Sequence, residues 1–364
     1  MSLFHQIALS CLPGIGSVLA RALLSYCGTA EEVFNSKSRQ LAKVPGIGPK
    51  TLEQILNHSV FSRAEEELEF IEKFKIIPLF IGSEHYPKRL KNCADAPVML
   101  YFKGNADLNS PKSISIVGTR NASEYGREIC RNLIADLKAY SPLIISGLAY
   151  GIDSSAHKEA LKNSIPTIGV LAHGLDRIYP SMHRNMAEKM LECGGLITEF
   201  MSGTIPDREN FPKRNRIIAG LSDLTIVVEA NIKGGALITA ELANAYNRDV
   251  FAFPGRINDE CSRGCNHLIK TNRANLITGM ADLEYIMGWV RETVKPLQKQ
   301  LSLLVDLNEE EQRIADIIQE HGEITVDDLA LLSSLQQSRL AINILEMEMK
   351  GIIVSLPGKV YKLA

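Results

Sequence analysis

A short basic segment, residues 211–222, contains the residue types needed to hold a phosphate chain. Lys213, Arg214 and Arg216 place three cations within four positions, and Phe211 lies two residues before the first of them. Cations attract phosphates, and an aromatic ring offers a face on which a base can stack. The same composition also suits a solvated basic turn whose phenylalanine belongs to the core, because runs of charge are commonly solvated. The residues around the segment are needed to distinguish a phosphate-binding site from a solvated basic turn.

The elements that position this segment are short β-rich runs that alternate with helical patterns. Such alternation is typical of βαβ units, so we predict an α/β fold built on a mostly parallel, doubly wound, extended Rossmann-like sheet. Two earlier runs, 76–81 and 98–102, are predicted to extend the edge of this sheet. The predicted core strands are 113–117, 143–145, 167–171, 196–199, 224–229, 250–253 and 275–278.

Functional residues are expected directly after these strands, because ligands of such sheets bind outside the carboxyl ends. Gly118 and Arg120 follow the first core strand, Gly147 follows the second, and Lys233 precedes two glycines after the fifth. Neither the dinucleotide GxGxxG pattern nor the GxxxxGK[ST] phosphate loop occurs at these positions. Residues 208–273 contain ten Lys and Arg against seven Asp and Glu, which favours a polyanionic partner.

Three polar residues near these strand ends have structural interpretations. Ser123 is predicted to cap the helix after the first core strand, and Asp153 the helix after the second. His157 is predicted to be a packing histidine rather than a base, since no acid, base and nucleophile are grouped with it.

Composition limits the class of protein. A chain of 364 residues suggests two or three domains, and 45% hydrophobic with 23% charged residues is ordinary for a globular protein. Seven cysteines at irregular spacing fit reduced thiols. With no leader pattern and no apolar run near 18 residues, we expect a cytoplasmic protein without a membrane partner. Cys261, Cys265 and His267 lack a CxxC pair and a fourth ligand, so we predict no metal site.

The N-terminal region contains an internal repeat. Residues 13–16 read Pro-Gly-Ile-Gly, and residues 45–48 repeat them before a second amphipathic helix. The unit resembles helix-hairpin-helix DNA-binding modules. Arg21 and Lys50 are the nearby cations, opposed by Glu31 and Glu32, so we favour structural turns or a protein contact over DNA binding here.

The C-terminal region has the pattern of a winged helix, with helices over 309–320, 325–332 and 334–350 and strands over 352–356 and 360–363. Residues 305–364 contain five Lys and Arg against eleven Asp and Glu, a net charge of 5 − 11 = −6. We therefore expect this module to contact protein rather than DNA. The predicted domains are residues 1–70, 71–293 and 301–364.

Six ordered motifs over about 190 residues resemble the DNA-processing protein A family (DprA, also called Smf). The resemblance implies an extended Rossmann-like core with a helical domain before it and a winged helix after it. It also implies single-stranded DNA binding without catalysis or a cofactor, a homodimer formed through the core, and delivery of incoming DNA to the RecA recombinase during natural transformation. The motifs begin at Val117-Gly118-Thr119-Arg120, Ser146-Gly147, Gly174-Leu175-Asp176, Phe211, Lys233-Gly234-Gly235 and Gly264-Cys265-Asn266.

By this resemblance, the phosphates are gripped by four cations, Phe211 packs or stacks, and Asn215 ties its loop down. The cations are Arg120, Lys213, Arg214 and Arg216, and the residues lining the pocket are Gly118, Gly147 and Lys233. The sequence departs from the family pattern at three places, which are Ser181, His183 and the segment Asn272-Arg273-Ala274.

An enzyme remains the alternative. A Rossmann-like nucleotide hydrolase similar to the lysine-decarboxylase-like phosphoribohydrolases would use Glu229 or Glu241 as its acid. The signature Pro-Gly-Gly-x-Gly-Thr-x-x-Glu of those enzymes is missing, and Lys233–Glu241 is only a partial match.

Overall fold

The computed structural model describes residues 2–289, 307–356 and 360–363. The chain divides into two compact units, Met1–Glu292 and Thr293–Ala364. No helix within the described residues is both long and apolar enough to cross a bilayer.

The first unit begins with a bundle of six helices. Its two hairpins turn at Gly14 and Gly46, whose φ angles of 72° and 86° lie in the left-handed region that favours glycine. Arg21 donates to the carbonyl oxygens of Cys93 and Ala94 in the following region at 2.6 and 3.1 Å, so its charge is used to hold the bundle in place. The helices are α1 (Leu3–Cys11), α2 (Ser17–Cys27), α3 (Ala30–Asn35), α4 (Ser38–Leu41), α5 (Pro49–Leu56) and α6 (Val60–Phe74).

The bundle is followed by a nine-stranded sheet with the order β1-β2-β6-β5-β4-β3-β7-β8-β9. β1 and β2 are antiparallel and extend the edge beside β6, and the pairings from β6 to β9 are parallel. The mostly parallel Rossmann-like sheet and the added edge are therefore confirmed. The strands are β1 (Ile77–Phe80), β2 (Met99–Gly104), β3 (Ser113–Val117), β4 (Leu143–Ser146), β5 (Thr167–Val170), β6 (Gly194–Thr198), β7 (Leu224–Val227), β8 (Asp249–Ala252) and β9 (Asn275–Leu276).

Helices cover both faces of this sheet, because alternate residues of each strand point to opposite sides. Ile114 and Ile116 of β3 pack with α8, α9 and α14, whereas Val117 belongs to the core cluster on the other face, with α11 and α12. The helices are α7 (Lys88–Lys91), α8 (Glu124–Leu137), α9 (Ile152–Lys162), α10 (Arg184–Glu192), α11 (Asn210–Leu221), α12 (Gly235–Ala245), α13 (Arg263–Lys270) and α14 (Met280–Met287).

The second unit is a winged helix, as predicted. Its core is built on Ile314, Leu329 and Leu340, one from each helix. The sheet has three strands rather than the predicted two, because β10 pairs with β12 before the second helix begins. The turn at Pro357-Gly358 lies outside the described residues. The elements are α15 (Glu309–His321), β10 (Glu323–Thr325), α16 (Val326–Ser333), α17 (Gln337–Met349), β11 (Ile353–Leu356) and β12 (Val360–Leu363).

Candidate functional site

The strand order reverses direction at β3, whose neighbours are β4 on one side and β7 on the other. The chain runs outward from β3 through β4, β5 and β6, and from β7 through β8 and β9. A crevice at the carboxyl ends of the strands is expected at such a switch point, because the connecting helices leave in opposite directions. Residues that follow β3, β4 and β7 therefore meet at one place.

Arg120, Phe211 and Arg214 come together at this switch point. The guanidinium carbon of Arg120 lies 5.3 Å from the centre of the Phe211 ring, and that of Arg214 lies 6.0 Å from it. Arg120 is exposed and forms no hydrogen bond or ion pair within the described residues. The three side chains line a recess of about 50 Å³ together with residues that follow β4 and β5.

Arg214 is buried beneath this recess, with 5% of its surface exposed. Its guanidinium donates to the carbonyl oxygen of Val170 at the end of β5. A methyl group on Gly147 would overlap both this guanidinium and the Asp153 carboxylate, so only glycine leaves room for them. Burial lowers the pKa of Arg214 to about 10, against the opposing effect of Asp153, so Arg214 stays charged at neutral pH. Arg214 is therefore a buried positive charge under the surface rather than an open phosphate ligand.

Asp153 is buried and does not cap its helix as expected. α9 already contains Asp153, because it begins at Ile152 with Gly151 as its N-cap at a φ of 79°. Burial raises the pKa of Asp153, and the charge of Arg214 opposes this. Ser123, by contrast, caps α8 as predicted by accepting from the Gly126 N–H at 3.1 Å.

Arg216 lies on another side of α11 from Arg214. Its guanidinium donates to the Glu199 carboxylate and to the Asp95 carbonyl oxygen, and only 14% of its side chain is exposed. Burial raises the pKa of Glu199, and the charge of Arg216 opposes this. The structure thus uses Arg216 to fasten α11 to the chain after β6 and to the segment before β2. Lys213 is exposed and forms no ion pair or hydrogen bond within the part of the chain that is described.

The remaining predicted residues lie on α11, before α12 and directly after β3. Asn215 donates to the Gly235 carbonyl oxygen at 3.3 Å, which ties α11 to the start of α12. Lys233 lies in the exposed loop before that helix. A methyl group on Gly118 would overlap the Ile152 side chain, so this glycine permits the close approach of β3 to the start of α9.

His157 is a packing residue, in agreement with the prediction. It is fully buried, and its Nε2 lies 2.6 Å from the Gly147 carbonyl oxygen. Since a carbonyl oxygen only accepts, Nε2 bears the proton and Nδ1 accepts from the Thr167 hydroxyl at 2.7 Å. Burial lowers the pKa of His157 to about 4, so the ring is neutral at physiological pH.

The structure gives a local explanation for two of the three departures from the family pattern. His183 is buried, its Nδ1 lies 3.0 Å from the Leu148 carbonyl oxygen, and its ring packs edge-on against Tyr150. Asn272 has a φ of 55°, a left-handed conformation that asparagine tolerates better than most residues and that suits the glycine usual there. Ser181 is exposed, and nothing in the structure explains it.

Both carboxylates of the enzymatic alternative contact other residues of the first unit. Glu229 is buried and accepts from the backbone N–H and the hydroxyl of Ser123 at the start of α8. Glu241 is exposed and pairs with Arg273 at 3.0 Å. Both carboxylates therefore have structural partners.

The residues of the rejected zinc cluster also have local partners. Cys265 is buried with its thiol toward the Val227 carbonyl oxygen, and the Cys261 thiol lies near the Asn121 carbonyl oxygen. Within the described residues no group of three or more potential metal ligands is present.

Two aromatic residues at the crevice were not assigned a role from the sequence. Tyr150 and Tyr179 follow β4 and β5, and both line the recess with their rings about half exposed. The Tyr179 ring centre lies 6.3 Å from that of Phe211. Their position in the segments that follow two strands was the signal available.

Models of known families match most of the chain. The model for DNA recombination-mediator protein A matches residues 78–287, and a SAM-like helix-hairpin-helix tandem matches residues 7–58. The model for the DprA winged helix domain matches residues 300–359.

Individual proteins agree with these models. The chain is 30% identical to protein Smf of Synechocystis over 98% of both chains. It is 40% identical to DNA processing protein DprA of Streptococcus pneumoniae over 60% of this chain and 77% of that protein.

Two solved structures are similar. DprA of Streptococcus pneumoniae superposes with a TM-score of 0.68 at 32% identity, over 78% of this chain and 98% of that one. DprA of Helicobacter pylori, solved to show its single-stranded DNA binding mode, has a TM-score of 0.53 at 29% identity, over 59% of this chain and 96% of that one. The chain described here thus belongs to the DNA recombination-mediator protein A family, also known as DprA or Smf.

Proposed function

We propose that this protein binds single-stranded DNA along the carboxyl edge of its core sheet, without reading sequence and without making or breaking a bond. The observation that supports this most directly is the approach of the exposed Arg120 to Phe211 at the switch point, above the buried charge of Arg214. The Helicobacter pylori relative, whose structure concerns single-stranded DNA binding, supports the same substrate class.

The chemistry of the crevice suits an unpaired strand. Arg120, Lys213 and Lys233 supply exposed cations for phosphates, and the rings of Phe211 and Tyr179 supply faces for bases. Stacking and phosphate contacts act on every base alike, so binding by these groups has little sequence preference.

Two side chains that line the recess, Arg214 and His173, each bury a polar atom. Nε of Arg214 and Nε2 of His173 are buried and have no hydrogen-bond partner within the described residues. Burial lowers the pKa of His173, which keeps its ring neutral. Buried polar atoms normally have a partner, so these two atoms are exceptions.

We further propose that the protein acts in the cytoplasm as a homodimer formed through the core, and that it delivers the strand to a RecA-type recombinase during DNA uptake. The support for these steps is the family membership. The winged-helix module is proposed to contact protein. Its α17 exposes three apolar side chains on one face, Ile342, Leu345 and Met349.

The test is fluorescence anisotropy with labelled oligo-dT across a salt series. We expect Arg120→Ala with Lys213→Ala to lower affinity ~10-fold or more and to reduce the slope of log K against log salt by about 1.4, since each single-strand phosphate contact contributes about 0.7. Arg214 is left intact because its loss would disturb the fold. Lys138→Ala with Lys189→Ala, at helix positions away from the crevice, is the matched control.

Two results would contradict the proposal. One is unchanged binding in the Arg120 and Lys213 variant. The other is release of free base from AMP or another nucleoside monophosphate by the purified protein, which would identify an enzyme instead.

A further inference from the structure

A second basic groove lies between α8 and α9 and joins the recess at the switch point. Its volume is about 590 Å³, against about 50 Å³ for the recess. Arg120 and Tyr150 line both, so they form the boundary between them. The recess has room for the edge of a base or for part of a phosphate, and a bound strand must therefore continue across the surface.

The groove is lined by more positive than negative charge. Arg127 and Arg131 come from α8 and Lys158 from α9, and all three are exposed. Arg127 and Arg131 are one helical turn apart and so lie on the same face of α8. The cations thus form a row that begins at Arg120 and continues between the two helices.

The acidic groups beside this row do not neutralise it. Glu159 lines the groove, and it pairs with Lys162 at 3.6 Å. Glu124 contacts Arg127 at 3.3 Å and Arg131 at 3.7 Å, but its side chain is 76% exposed. One solvated carboxylate shared by two half-exposed guanidinium groups is a weak pairing, which phosphates can replace.

The direction of the groove follows from the topology. In a parallel α/β sheet the connecting helices run opposite to the strands, so α8 and α9 both begin at the carboxyl edge. Arg127 and Arg131 lie progressively farther along α8 from its start at Glu124. The groove therefore leaves the carboxyl edge and descends along the outside of the core.

We propose that single-stranded DNA passes Arg120 and Tyr150 and continues into the groove between α8 and α9, where Arg127, Arg131 and Lys158 bind its phosphates. This inference rests on the proposed function, since it extends the path of the same strand. Tyr150 is 43% exposed and its ring is held edge-on by His183, which places a fixed aromatic face where the strand turns.

The test is the dependence of affinity on strand length, measured with the full chain at about 0.15 M salt and oligo-dT of about 4 to 16 nucleotides. Wild-type affinity is expected to rise with length until recess and groove are both filled. In Arg127→Gln, Arg131→Gln, Lys158→Gln the affinity should stop rising at a shorter length. For the longest strands we expect a ~10-fold loss and a salt slope lower by about 2, three contacts at about 0.7 each.

The matched control is Lys138→Gln, Lys189→Gln, Lys270→Gln. These exposed lysines lie at or near the C-terminal ends of α8, α10 and α13, at the opposite edge of the sheet, and their loss changes the net charge equally. The control should follow the wild-type length dependence. Tryptophan fluorescence of Trp289 verifies that each variant is folded, since this ring packs near Tyr140 in the first unit.

The inference is overturned if the groove variant stops gaining affinity at the same length as wild type. It is equally overturned if short and long strands are weakened by the same factor, or if the control loses as much as the groove variant. In each of these cases the wild type still binds DNA and the proposed function stands. If the wild type binds no strand of any length, the proposed function fails and this inference fails with it.

Discussion

The carboxyl edge of the core sheet and the third helix of the winged-helix module both present cations where nucleic acid could bind. At the sheet edge, Arg120, Lys213 and Lys233 have no ion-pair partner within the described residues. Arg339 of α17 pairs with Glu310 at 3.0 Å, and Lys350, directly after α17, pairs with Glu311 at 2.6 Å. The two regions have similar numbers of cations, but of these only the two of the winged-helix module are paired with carboxylates in the part of the chain that the structure describes.

The difference shows that the role of a cation depends on whether a carboxylate is paired with it, and not on its presence alone. A cation without a partner can exchange solution counterions for phosphates, and that exchange drives nonspecific DNA binding. A cation held by a carboxylate must first break that pair. Glu311 has no exposed surface and also caps the start of α15, so Lys350 is committed to holding the module together.

The largest expected effect that tests this comparison is a loss of stability when Arg214, the buried arginine of the sheet edge, is replaced. Arg214→Ala removes the cation beside the buried Asp153, and we expect it to lower the free energy of unfolding of the first unit by about 3 kcal/mol or more. Urea unfolding followed by Trp289 fluorescence measures this, because Trp289 is the only tryptophan of the sequence and lies in that unit.

The matched substitution in the other region is Arg339→Ala. Its side chain is 70% exposed, so we expect the stability of the winged helix to change by less than about 0.5 kcal/mol, as measured by hydrogen exchange of α15 and α17. A cost below about 1 kcal/mol for Arg214→Ala would show that this buried charge is not a structural element.

The second prediction concerns the pH dependence of stability in the first unit, which contains His157. His157 is buried with a pKa of about 4, against 6.5 when free. Unfolding therefore takes up a proton between these values, and stability falls as pH decreases from 6.5 to 4. Over the full interval between these two pKa values, the free energy of unfolding falls by about 3 kcal/mol.

The measurement is the unfolding free energy of wild type minus that of His157→Gln, from pH 4 to 7. Taking the difference removes the other titrating groups, including Asp153 and Glu199, whose raised pKa values act in the opposite direction. The glutamine amide can still donate to the Gly147 carbonyl oxygen, and it does not titrate. A difference that stays constant with pH would show that His157 titrates like a free histidine.

Much of the fold could be predicted because its strands are marked in the sequence. β3 is Ser113–Val117, as predicted, and the β-branched runs at β7 and β8 lie within two residues of their predicted bounds. The order of the strands in the sheet could not be predicted in the same way, because the sequence of one strand does not indicate which other strands pair with it. The placement of Arg120 beside Phe211 followed only from the expectation that ligands bind outside the carboxyl ends of the strands.

The roles of the clustered cations could not be predicted for a geometric reason. Residues of a helix advance by about 100° each, so Lys213, Arg214 and Arg216 of α11 cannot all point one way. Which of them is buried depends on groups distant in sequence. Arg214 meets Val170 and Arg216 meets Glu199, and only the tertiary structure brings these together.

The smallest expected effect is the loss of a single cation at each surface. Arg120→Gln should lower the salt slope of oligo-dT binding by about 0.7, the contribution of one single-strand phosphate contact, and Arg339→Gln should leave it unchanged. Glu310→Gln sharpens the test because it removes the negative charge paired with Arg339, while its amide oxygen can still accept from Asn343, which donates to the carboxylate at 2.8 Å. If freeing Arg339 raises DNA affinity and the slope by as much as Arg120→Gln lowers them, then pairing alone conceals a DNA site on the winged helix. If it does not, the net acidity of the module excludes DNA from this surface whatever the state of its cations, because the surrounding carboxylates repel phosphates.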